Sequence, residues 1–80
     1  MMGRVEHWFN RSYRAGRRDV YLLRTPTGWQ VVGREGGSGG REVTYYFDDE
    51  AEARRMVQAM KDAVPAHLGN WALMPQPPGR

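Results

Sequence analysis

The densest run of side chains able to do chemistry lies between Arg11 and Arg24, where Arg14, Arg17, Arg18 and Arg24 are interleaved with Tyr13 and Tyr21. A guanidinium is a planar fork that fits phosphate oxygens, and a tyrosine ring stacks on a base or donates to a phosphate. The charge distribution extends the pattern. Residues 1–34 carry seven Arg against Glu6 and Asp19, a net of +5, while residues 35–80 carry five basic and seven acidic side chains, a net of −2. A molecule polarised in this way steers a polyanion to one side. Eleven of the twelve basic residues are Arg and only Lys61 is Lys. Arg also stands on the presumed solvent face of a helix, which a GC-rich coding bias explains as well as phosphate recognition does.

Other chemistries lack their parts. His7 and His67 are sixty residues apart and no Cys is present, so the ligand spacings of a metal centre are missing and both histidines read as surface residues. Ser12 and Ser38 sit in polar segments without a neighbouring base, and Asp48, Asp49, Glu50 and Glu52 suit the positive end of a helix better than acid–base catalysis. The run Gly36-Gly-Ser-Gly-Gly40 joins two strands and carries no Lys, unlike a phosphate loop that feeds a helix N-terminus. The expectation is a protein that is not an enzyme and uses no cofactor and no metal.

The elements that would position these residues follow from periodicity. Eighty residues allow one domain with a thin core, and without Cys that core is held by apolar packing alone. Asp19–Arg24, Trp29–Arg34 and Arg41–Phe47 are rich in β-branched and aromatic residues and predict three strands. Thr25-Pro-Thr-Gly28 between the first two suits a type I turn. Asp49 and Glu52 form a capping-box pattern, Ala53, Met56, Val57, Met60 and Val64 line one helical face, and Pro65 ends the helix. The predicted fold is α+β: a three-stranded antiparallel β-meander packed on one C-terminal α-helix. Residues 1–18 read as a basic N-terminal arm, 19–64 as the βββα domain and 65–80 as a tail with a disordered end. Within the arm, Val5, Trp8, Phe9 and Tyr13 fit a helical turn, whereas Val5, His7 and Phe9 fit a short strand. The N-terminus does not read as a signal peptide, and no run approaches the about 20 apolar residues of a membrane span, so a cytoplasmic location is expected.

Strand alternation then sorts the faces. Trp29, Val31, Val43, Tyr45 and Phe47 are expected against the helix stripe. Gln30, Val32, Arg34, Glu42, Thr44 and Tyr46 fall on the other face. The first strand contributes either Val20 and Leu22 or Tyr21 and Leu23 to the core, since both of its faces are apolar. Trp8, Phe9 and Trp71 either complete the core or form an adhesive surface.

The stretch Trp29-Gln-Val-Val, Arg41-Glu-Val-Thr-Tyr-Tyr-Phe47 and Asp48-Asp-Glu-Ala-Glu-Ala53 resembles the arm-type DNA-binding domain of phage and transposon tyrosine integrases. It is equally similar to small uncharacterised bacterial proteins with a Trp hairpin. The integrase resemblance covers about residues 19–64 and implies a three-stranded sheet lying in the major groove of double-stranded DNA. Gln30, Val32, Arg34, Glu42, Thr44 and Tyr46 would face the groove. Glu42 and the acidic helix start depart from such a surface. The chain is also similar in its element order to small mRNA-cleaving toxins, but it lacks their Gly-Ser-His motif.

Two functions are therefore expected. In the first, a nucleic-acid-binding accessory or regulatory module contacts double-stranded DNA through Arg14, Arg17, Arg18, Arg24, Gln30, Arg34, Thr44 and Tyr46. In the alternative, a regulator of phage or actinobacterial type binds itself as a homodimer, or another protein, through Trp8, Phe9, Trp71 and Leu73.

Overall fold

The computed structural model describes residues 3–10, 17–36, 40–64 and 70–75. It is α+β, but the sheet has five antiparallel strands rather than three. In chain order these are β1 (Gly3–Asn10), β2 (Arg18–Thr25), β3 (Gly28–Glu35), β4 (Arg41–Phe47) and β5 (Ala72–Leu73), with α1 (Glu50–Asp62) between β4 and β5. Across the sheet the order is β4-β3-β2-β1-β5. The three predicted strands are all present, and the turn between β2 and β3 is the two residues Pro26 and Thr27. No non-glycine residue described has positive φ, so this turn is not one of the mirror-image types. Gly28 is required where the hairpin meets β4, because a Cβ there would collide with the carbonyl oxygen of Phe47.

The additional strands come from segments where sequence patterns were ambiguous or too short. Residues 3–10 satisfied helical and strand spacing equally. The strand wins because β2 is apolar on both faces and offers an unpaired edge, which β1 takes from Gly3 opposite Arg24 to Asn10 opposite Arg18. β5 is two residues long, below the reach of any periodicity. A β-bulge between Arg4 and Glu6 inserts Val5 and shifts the parity of the strand. Arg4 therefore lies on the face of the sheet away from the helix, over the ring of Tyr21, while Glu6 lies on the helix face and accepts from Arg54.

α1 packs on one face only. Its buried residues Ala53 and Val57 meet Val20, Leu22 and Val31, so β2 turns Val20 and Leu22 inward and Tyr21 and Leu23 outward. Trp8, Trp29, Trp71, Phe47, Met56 and Met60 pack around this cluster. The Asp49 backbone caps α1 in an extended conformation, but its side chain makes no capping hydrogen bond, contrary to the expected capping box. Pro65, expected to end the helix, lies outside the described residues; the helix itself ends at Asp62 with Ala63 as its cap.

Leu22 is fully buried at the centre of this core. Leu22→Ala is expected to cost about 2–5 kcal/mol, comparable to the whole stability of a domain this small. Urea unfolding followed by circular dichroism measures it, and a loss below about 1 kcal/mol would mean the core is centred elsewhere.

Candidate interaction surfaces

The helix-free face of the sheet collects the side chains that alternate away from the core. Gln30, Arg34, Thr44 and Tyr46 lie together on it, as expected from strand parity. The arginines expected to join them do not share one surface. Arg18 and Arg24 alternate with Tyr21 and Leu23 and fall on the helix side, where Arg24 lies 5.7 Å from the centroid of Trp29. Arg14 lies outside the described residues. Arg17 does reach the helix-free side, but it is held by Asp19.

The grouping that sequence did not suggest is centred on Asp19. This carboxylate is 4% exposed and accepts from three groups: His7 Nε2 at 2.7 Å, Arg17 Nη2 at 2.7 Å and Arg17 Nε at 3.0 Å. An ionised carboxylate only accepts, so His7 carries its proton on Nε2. His7 was expected at the surface and is instead 5% exposed, stacked on Tyr21 with ring centroids 4.2 Å apart. Arg17 also covers Phe9, with its guanidinium carbon 5.3 Å from the ring centroid. Cross-strand register explains the grouping, since His7 faces Tyr21 and Phe9 faces Asp19 across the β1–β2 pair. Signals from residues twelve positions apart become legible only once that pairing is known. Burial by itself would raise the Asp19 pKa. The hydrogen bonds from Arg17 and His7 and the guanidinium charge outweigh it, leaving the carboxyl below its ordinary range.

Three of the remaining basic side chains pair with acids among the described residues. Arg18 pairs with Glu35 at 3.1 Å, Arg34 with Glu42 at 3.6 Å, and Arg54 with Glu6 and Glu50 at 2.6 and 2.8 Å. Lys61 places its ammonium 3.2 Å from the ring centroid of Trp8.

The expected adhesive cluster is dismantled too. Trp8 packs on the core and donates its indole N–H to Glu6, and Trp71 packs on the core and donates to the Lys61 carbonyl. Phe9 is half-buried, and Leu73 alone of the four is exposed. A different apolar surface takes their place. Six of the seven residues of β4 are exposed, including Val43 at 44%, Tyr45 at 40% and Tyr46 at 73%. Val43 and Tyr45 were expected beneath the helix. They alternate onto the correct face, but α1 lies mainly across β2 and β3 and covers them only in part. An α-helix is about 10 Å wide and strands are about 4.8 Å apart, so one helix shields about two strands. The narrow stripe of α1 was the available signal.

A cavity of about 260 Å³ opens beside this strand, between Met60, Ala63 and Trp71 and the β3–β4 hairpin, with Glu35 and Arg41 at its rim. Among the described residues no three His, Cys, Asp or Glu side chains group as metal ligands, and no helix is long and apolar enough to cross a membrane. The chain matches no family model, and neither the curated proteins nor the solved structures contain a significant match to it.

The low Asp19 pKa has a definite pH signature. Its contribution to stability is complete above the unfolded value near 3.9 and is lost as pH falls through the lower folded value. Asp19→Asn is expected to destabilise the fold at neutral pH by about 2 kcal/mol, moderated by the partial exposure of Arg17. It is also expected to flatten the loss of stability below about pH 4. Denaturation midpoints from pH 2 to 7 measure both; a variant as acid-sensitive as the parent would remove Asp19 from this role.

Proposed function

We propose that this protein is a protein-interaction module whose docking surface is the β4 edge of the sheet. The observation that carries this reading is the exposure of β4, a terminal strand that presents Val43, Tyr45 and Tyr46 to solvent. Edge strands of soluble proteins are normally blunted by Lys, Pro, bulges or a covering element, and an uncovered apolar edge is a template for another chain. β4 has no Lys or Pro, and it pairs with β3 from Trp29–Phe47 to Glu35–Arg41 without a register shift. Aromatic side chains on an exposed strand are the composition of interface centres.

In host-cell extract the full chain is expected to migrate as a complex larger than its 9.2 kDa monomer. Val43→Lys/Tyr45→Lys, both at exposed positions, should return it to the monomer position with its circular dichroism unchanged. A monomeric parent chain, or a complex indifferent to the double substitution, would refute the reading.

Nucleic-acid binding is the second reading, favoured by the gathering of Gln30, Arg34, Thr44 and Tyr46 on the helix-free face. The pairing of Arg17 and Arg34 with in-chain acids weighs against it. It requires micromolar binding of a labelled random-sequence duplex that falls steeply with salt and weakens in Arg34→Ala/Tyr46→Ala. Fluorescence anisotropy decides, and absence of binding even at low salt would end this reading.

A further inference from the structure

The interaction reading names an edge but no occupant, and the occupant we propose is a second copy of this chain. In this proposal, which rests on that reading, two β4 strands pair antiparallel about a two-fold axis through Thr44 and join two five-stranded sheets into one.

Three observations converge on a second copy. The first is the asymmetry of the two sheet edges. The β5 side is protected: β5 is two residues long, and β1 behind it carries the bulge at Val5. The β4 side has none of these devices. A two-fold pair consumes the unprotected edge of both copies and leaves only protected edges outside, whereas head-to-tail pairing would keep an open β4 at one end and grow filaments.

The second is self-complementarity of register. Centring on Thr44 uses all seven residues of β4. Thr44 then faces Thr44, and Val43 faces Tyr45 of the second copy twice over. Thr–Thr and aromatic–β-branched pairs are among the favourable cross-strand combinations. Both copies carry their helices on the same side, so Val43 and Tyr45, left partly exposed by α1, form one continuous apolar strip between the two helices.

The third is charge. β4 begins at Arg41 and leads into Asp48 and Asp49, all exposed and none in an ion pair within the described residues. In the Thr44-centred register Arg41 faces Phe47 of the second copy and lies diagonal to its Asp49, whose backbone is still extended. Antiparallel pairing thus matches an unpaired cation to unpaired anions at both ends, and a parallel arrangement would set Arg41 against Arg41.

Sedimentation equilibrium of the purified full chain tests this, up to about 1 mM. The expected result is a dimer of the 9.2 kDa chain. Tyr45→Lys should weaken it by at least about tenfold. Arg41→Glu alone should weaken it by about tenfold, and Arg41→Glu/Asp49→Arg should restore it to within about threefold of the parent. Thermal melts check that each variant folds; if the double variant does not, Tyr45→Lys and Arg41→Glu decide. A monomer at every concentration, a dimer insensitive to Tyr45→Lys, or a folded charge swap that fails to restore association would overturn the second-copy assignment. If the purified chain is monomeric while the complex in extract persists and depends on Val43 and Tyr45, only the choice of occupant fails. If that complex is absent as well, the edge reading fails with it.

Discussion

One helix cannot cover five strands, and most of the molecule follows from that mismatch. α1 buries Ala53 and Val57 against Val20, Leu22 and Val31 at the middle of the sheet. What lies beyond its reach must find another cover. On the β1 side, Trp8 and Trp71 supply it, pinned by Glu6 and by the Lys61 carbonyl. On the β4 side Trp29 sits opposite Phe47 at one end of the strand only, and Val43 and Tyr45 stay exposed. The inequality between the two flanks of the helix is thus a matter of where the large side chains sit in the chain.

The sheet's second face is organised by a polar grouping instead of a helix. Asp19 is nearly inaccessible, yet its carboxylate is satisfied by His7 and Arg17, and no buried side-chain nitrogen or oxygen among the described residues lacks a hydrogen bond. Removing a carboxylate from water is tolerable only with such complete partnering. The arrangement spans β1 and the start of β2, so it ties the register of those two strands together. The same guanidinium that looked available for phosphate in the sequence is spent inside the fold.

Much of the architecture was legible from residue patterns. β2, β3, β4 and α1 carry strong periodic signals, and the faces of β3 and β4 were assigned correctly. The face of β2 stays open between two choices in the sequence, because Val20, Leu22, Tyr21 and Leu23 offer two equally apolar stripes. Only the position of β2 between two strands and beneath the helix separates them. β1 escaped because eight residues fit two periods, and its bulge breaks the alternation that would have chosen between them. The site was less legible than the fold. Charge was read from composition, whereas its availability depends on cross-strand partners such as Arg34 with Glu42 and Arg18 with Glu35. Exposure of β4 depends on the width of a helix, a quantity no local window contains.

All three tryptophans, Trp8, Trp29 and Trp71, sit on the helix side of the sheet against the core. Tyr21 and Tyr46 sit on the opposite side. Tyr45 lies on the helix side at the β4 edge, so tyrosine absorption samples both faces of the sheet, whereas indole emission samples only the helix side. A perturbation confined to the far surface should therefore move tyrosine absorption and leave indole emission silent, which makes the seating of the helix on the sheet observable without any label.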